Sequence, residues 1–184
     1  MPLRKLFSFL LLAAMAVQAQ VVPNPLSPVR EQIYAKNWEK ATRELDKAEQ
    51  KGLCKEAVCL LVRTMIADGA GDGAQAVAYA RRVAALFGPD SSLNAEQYNE
   101  AGAILYRRAQ RDPELLKLAE TAFRQADSLY KGDASNIRFN LATVLKAQGR
   151  TKEAKQIMDA LEAAGLLINP GMAILGDFQR PSVQ

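Results

Sequence analysis

Two side chains in this sequence have the type and spacing for covalent chemistry: Cys54 and Cys59, its only cysteines. On one regular helix, residues five apart have Cα atoms about 8 to 9 Å apart, beyond the roughly 7 Å that a disulfide spans. A disulfide therefore requires Cys54 to sit in the turn "KGLC", ahead of the helix that carries Cys59. The other reading is a loop thiol beside a buried Cys59 that packs as a small apolar group. The spacing is not that of a Cys-x-x-Cys redox pair, and no strand–helix unit surrounds it.

Little else is equipped for catalysis. The chain has no histidine, which removes imidazole-activated nucleophiles, imidazole proton shuttles and the commonest zinc sites. "GAGDG" at 69–73 follows no strand and leads to no Gly-Lys-Ser/Thr, so it reads as a turn between helices, not a phosphate loop. The carboxylates alternate with cations at helical spacing, as in Glu39/Arg43, Glu44/Lys47 and Glu153/Lys152. That is the pattern of a solvated, salt-bridged surface. The sequence predicts no catalytic residue, no metal site, no cofactor and no enzyme.

Helices must position whatever function there is. Apolar periodicity and turn signals predict them near 28–35, 37–51, 55–68, 73–87, 95–110, 113–130, 135–148 and 151–164. Ser27-Pro28 and Asp112-Pro113 place a capping oxygen before a proline at the first helical position, and Asn94 is placed to cap the helix that carries Tyr98. One spacing recurs: a leading small residue, an apolar residue four on, another three further. It occurs at Ala41/Leu45/Ala48, Ala76/Ala80/Val83, Ala119/Phe123/Ala126 and Ala154/Met158/Leu161. The leading alanines are 35, 43 and 35 residues apart. The longer interval is expected to be absorbed by the loop "QRDPELL".

The preceding helices carry a second pattern: Tyr98, Ala101, Gly102 and Leu105, then Arg138, Leu141, Ala142 and Leu145, with a poorer echo at Cys59, Val62, Arg63 and Ile66. Together these residues resemble the tetratricopeptide repeat, a helix–turn–helix unit of about 34 residues. The resemblance covers about Pro28 to Leu166. It implies an all-α, right-handed α-solenoid of antiparallel helix hairpins, about three and a half repeats long, in which each hairpin covers the apolar face of the one before. It also implies a concave groove lined by the first helix of each unit. Carried over position by position, the third unit contributes Glu96, Asn99, Ala103, Tyr106 and Arg107, and the fourth Asn136, Phe139, Thr143, Lys146 and Ala147. Phe139 and Tyr106 read equally as packing between neighbouring helices. Asn140 resembles an asparagine of the subfamily that clamps chaperone C-termini. The cations of that clamp are missing near Asn136, so chaperone binding is not expected.

The ends of the chain add a compartment and an alternative. "MPLRK" followed by "LFSFLLLAAMAV" and small residues up to Ala19 reads as a cleaved secretory signal over 1–19, too short for a membrane span. An extended, proline-rich linker then covers 20–27, the repeat domain 28–166 and a tail 167–184. Arg4 and Lys5 leave with the signal and no acid does, so the net charge falls from +4 to +2. No basic block interleaved with aromatics remains, and no nucleic-acid partner is expected. The expected protein is a non-enzymatic scaffold, periplasmic or secreted, that binds a peptide or helix of another envelope protein. The alternatives are a thiol-redox or enzyme-accessory factor using Cys54 and Cys59, and a self-assembling structural protein joined through the apolar tail. The tail itself reads either as folding onto the open end of the last hairpin or as docking into another protein.

Overall fold

The computed structural model describes residues 24–110 and 112–166. Eight α-helices follow in order: α1 (Ser27–Tyr34), α2 (Trp38–Gln50), α3 (Glu56–Gly69), α4 (Gly73–Ala84), α5 (Ala95–Ala109), α6 (Pro113–Leu129), α7 (Ser135–Ala147) and α8 (Thr151–Ala163). They pack mostly as sequential antiparallel pairs, and alternate helices also touch: α3 with α5, α4 with α6, α5 with α7. The fold is all-α with repeat-like packing. The expected signal segment, the linker up to residue 23 and the tail from residue 167 lie outside the described residues.

Each pair closes through a connection of three residues: 35–37, 70–72, 110–112 and 148–150. A helix can end this sharply when one residue turns left-handed and frees two amides to reach back to the last carbonyls. Gly149 does so with φ 80°; its N–H donates to the Lys146 carbonyl, and that of Arg150 to the Leu145 carbonyl. Gly71, with φ 84°, does the same between α3 and α4, where its N–H donates to Asp68 and that of Asp72 to Ala67.

Three local expectations need correction. Most of the extra length in the third unit lies in the ten-residue connection 85–94, and α6 adds about one early turn; the α5–α6 connection is as short as the others. Tyr98 explains the long connection: its ring lies 5.1 Å from that of Phe87, and its hydroxyl donates to the Gly88 carbonyl. Ser27 is not a cap, because α1 begins with it; Asn24 Oδ1 instead accepts from the Leu26 amide at 3.0 Å. Glu153 pairs with Arg150 at 2.6 Å, not with Lys152. The caps at Asp112 and Asn94 form as expected, Asn94 in a reciprocal pair with Gln97. Asn37 and Asp72 cap α2 and α4. The pairs Glu39–Arg43 and Glu44–Lys47 are present, both at the surface.

The recurring small residues are where the helices meet. All four leading alanines, Ala41, Ala76, Ala119 and Ala154, are buried. At the α5–α6 crossing the fit leaves no room for a side chain. A Cβ added to Gly102 would lie 2.9 Å from Cε1 of Phe123, a side chain 1% exposed. In α3 the matching position is Arg63. It reaches back to α2 instead, with Nε 3.0 Å from Glu49 Oε1 and Nη2 2.6 Å from Asp46 Oδ1, and those two carboxylates hold it as a cation.

Cys54 lies outside the helix, in the turn before α3, while Cys59 is the fourth residue of α3. The two form a disulfide with Cα atoms 5.8 Å apart. The geometric condition stated above is therefore met.

Two outcomes follow. Gly102→Ala gains helix propensity of about 1 kcal/mol but forces a Cβ into a ring that cannot yield, so stability falls by about 1 to 2 kcal/mol in urea melts. Adding Phe123→Leu to that variant costs less than Phe123→Leu costs alone. Additive losses would show that the two residues do not share this contact. Reducing the Cys54–Cys59 bond removes a small loop constraint and lowers unfolding free energy by about 2 kcal/mol, read from melts with and without reductant. An unchanged midpoint would show that the turn is held without the bond.

Candidate functional site

α5 is flanked by α3, α6 and α7, so its polar side chains are drawn partly out of water. Asn99 and Asn140 meet across α5 and α7: Asn140 Nδ2 donates to Asn99 Oδ1 at 3.0 Å. Asn140 is 4% exposed, and its Oδ1 is buried with no hydrogen-bond partner. An unsatisfied buried amide oxygen costs roughly 1 to 3 kcal/mol, so this atom marks the site. Around it Ala103, Tyr106, Phe123, Asn140 and Thr143 line a narrow crevice. Tyr106 and Thr143 remain half-buried.

The residues predicted for the groove divide into two groups. Asn99, Ala103, Tyr106, Asn140 and Thr143 gather at the α5–α7 junction. Phe139, Thr143 and Lys146 face a second space, a cavity of about 470 Å³ between α7 and α8 that is completed by Ala142, Thr151, Ala154, Lys155 and Met158. Thr143 belongs to both. Phe139 is a packing residue, buried against Leu161. Glu96 and Asn136 are exposed on the first turns of α5 and α7, and Ala147 is exposed at the end of α7.

Arg107 is held by a partner that the sequence did not reveal. Asp68, at the end of α3, accepts from Arg107 Nη2 at 2.7 Å and from Arg108 Nε at 2.6 Å. Arg108 Nη2 also reaches the Asp68 carbonyl oxygen at 3.1 Å. One carboxylate thus serves two guanidiniums. Glu100 was missed as well. It follows Asn99 on α5, and burial pushes its carboxyl up to about 7, against the opposing pull of Arg30 and Arg107 and with a small contribution from Glu96. Its signal in sequence is faint: an acid between Asn99 and Ala101, at a position the 3.6-residue period turns toward neighbouring helices.

Other polar spaces have less to offer. A recess of about 370 Å³ beside the disulfide contains Arg63, Arg82 and Tyr79. Arg63 is already committed to Asp46 and Glu49, and Arg82 lies over the Tyr79 ring at 5.9 Å. Among the described residues no group of three or more Cys, Asp or Glu is placed to hold a metal ion, and no helix is long and apolar enough to cross a membrane. Comparison with protein-family models, with curated proteins and with solved structures finds no match.

Glu100 gives the site a pH dependence with a definite sign. Its folded-state value, about 7, lies above the 4.5 of the free side chain. Its favourable contribution is therefore complete below about 4.5 and is lost as pH rises through about 7. Urea melts should show about 2 kcal/mol of stability lost between pH 5 and pH 8 from this group. Glu100→Gln should remove that slope and be the more stable protein at pH 8. An identical slope in the variant would place the titration elsewhere.

Proposed function

We propose that this protein is an exported, tetratricopeptide-like scaffold that binds an extended peptide segment of another envelope protein across α5 and α7. The observation that carries this reading is the amide pair Asn99–Asn140, with one buried oxygen unpartnered. A peptide main chain presents N–H donors at regular spacing, and such a donor is what Asn140 Oδ1 lacks. Tyr106 and Thr143 beside it offer an aromatic face and a hydroxyl. The hydroxyl already donates to the Phe139 carbonyl at 3.0 Å and retains its lone pairs as acceptors.

Repeat-like packing of the helices supports the family reading, since stacked hairpins cover one another's apolar faces; a peptide donor reaches the buried Asn140 Oδ1 once the half-buried Tyr106 and Thr143 at the crevice move aside. The Cys54–Cys59 disulfide suits an oxidising compartment outside the cytoplasm. Arg107 and Arg108 outnumber Asp68 at one end of α5, which favours a peptide with an acidic residue near that end.

The test is direct. The protein is panned against a displayed library of random peptides, and enriched peptides are titrated by fluorescence anisotropy. Replacing both amides by alanine removes the orphaned atom with its partner, so the double variant Asn99→Ala/Asn140→Ala should keep its melting temperature. It should bind the same peptides about tenfold or more weakly, the equivalent of 1.4 kcal/mol. No enrichment, or equal affinity for the folded double variant, would reject this site.

A further inference from the structure

The last hairpin repeats the geometry of the one before it, but one neighbour is missing from the described chain. α5 and α6 contribute Ala103, Tyr106 and Phe123 to the crevice that α7 closes. Spaced along the repeat, those residues correspond to Thr143, Lys146 and Met158 of α7 and α8, and all three line the open cavity of about 470 Å³. Exposure shows the difference a cover makes: Phe123 is 1% exposed under α7, whereas Met158 is 37% exposed. The cavity is the seat that a further segment would take.

The chain is already turned toward that seat. Where α2 hands over to α3, Gly52 adopts φ 63°; its N–H donates to Glu49 and that of Leu53 to Ala48, each at 2.9 Å. The same turn recurs after α8. Gly165 has φ 70°, its N–H donates to Glu162, and that of Leu166 to Leu161, again at 2.9 Å. Leu166 then packs on Phe139 and Leu161, at the edge of the cavity. The next residues, Leu167 to Leu175, read "LINPGMAIL" and carry no charge. Nine extended residues reach about 30 Å, more than the roughly 20 Å length of a thirteen-residue helix such as α8. Asp177 follows shortly after, opposite in sign to Lys146 on the rim.

We infer that residues Leu167–Leu175 of the same chain seat in the cavity between α7 and α8 and cover Phe139, Ala142, Ala154 and Met158 as α7 covers the preceding hairpin. The segment supplies the missing apolar face in place of a next repeat. A second copy of the chain and a foreign protein are the competing occupants.

The test uses the purified chain with Met158→Cys as a reporter thiol, since the native cysteines are bonded to each other. Iodoacetamide labelling is timed without reductant, with and without Ile174→Asp/Leu175→Asp, and light scattering gives the mass across a concentration range. Circular dichroism checks that both proteins are helical. The expected result is labelling slowed by about tenfold in the unaltered tail, independent of concentration, in a monomer. Equal labelling in both proteins would overturn the proposal and leave the seat to a foreign partner. Protection that grows with concentration alongside a dimer mass would overturn it in favour of a second copy. None of these readouts uses a bound peptide, so the outcome is separate from that of the α5–α7 site.

Discussion

The approach of α5 to α6 at Gly102 is the constraint from which the rest of the packing follows. Two helices that meet without a Cβ at the crossing point lie close enough for Phe123 to fill the gap beneath them. With α6 drawn in, α7 can contact α6 and α5 together, and buried residues of all three helices, Leu105, Phe123 and Leu145 among them, share a cluster that runs into α8. No single hairpin in this arrangement buries its own apolar surface. Leu141, Val144 and Leu145 of α7 are buried because α5 and α6 lie beneath them. Stability is therefore a property of neighbours, as in other stacked helix pairs.

The same crowding creates the polar features of α5. A helix flanked on several sides leaves little surface for charge, yet this one carries Asn99, Glu100, Arg107 and Arg108. Each group meets the problem differently. The arginines share Asp68, which has both oxygens occupied. Glu100 has cations nearby, but burial outweighs their pull and its proton is held more tightly. Asn140 satisfies its amide nitrogen on Asn99 and leaves its oxygen without a partner. Of the three, only the last is a deficit that a neutral ligand can correct at any pH, and for that reason the proposed site is centred there and not on the charges.

Among the described residues, helix number, order and most boundaries were legible in the sequence, because each helix carries its apolar residues at a clear period and each pair closes in a three-residue turn. Ala41, Ala76, Ala119 and Ala154 were found by spacing alone and are buried. What escaped depended on contacts between distant residues. Asp68 gives no local sign that it will meet Arg107 and Arg108 some forty positions on. Leu86 and Phe87 read as the end of a helix, which stops instead at Ala84, and the long connection is explained by Tyr98, whose ring meets Phe87 and whose hydroxyl donates to the Gly88 carbonyl. Arg63 broke the small-residue pattern, and the reason, two carboxylates on α2, is tertiary. The cysteine pair lay between these cases: helix geometry gave the condition for a bond, and the helix start at Glu56 decided it.

Repetition also limits what the sequence of any single unit can say about function. Phe123 and Met158 hold equivalent places, yet one is core and the other surface, because α7 exists to cover the first. Asn99 and Phe139 are likewise equivalent, but one offers an amide at a helix junction and the other packs against Leu161. A residue in such an array acquires its role from what lies one hairpin further along. Binding and folding are then the same physical event at different positions: an open apolar or polar face is closed either by the next helix of the chain or by a segment from elsewhere. Under the functional reading proposed here, the α5–α7 junction is closed in its apolar part by the chain itself and left incomplete in one hydrogen bond. A deficit of that size is small enough to leave the fold intact and large enough to select a main-chain donor over an apolar group.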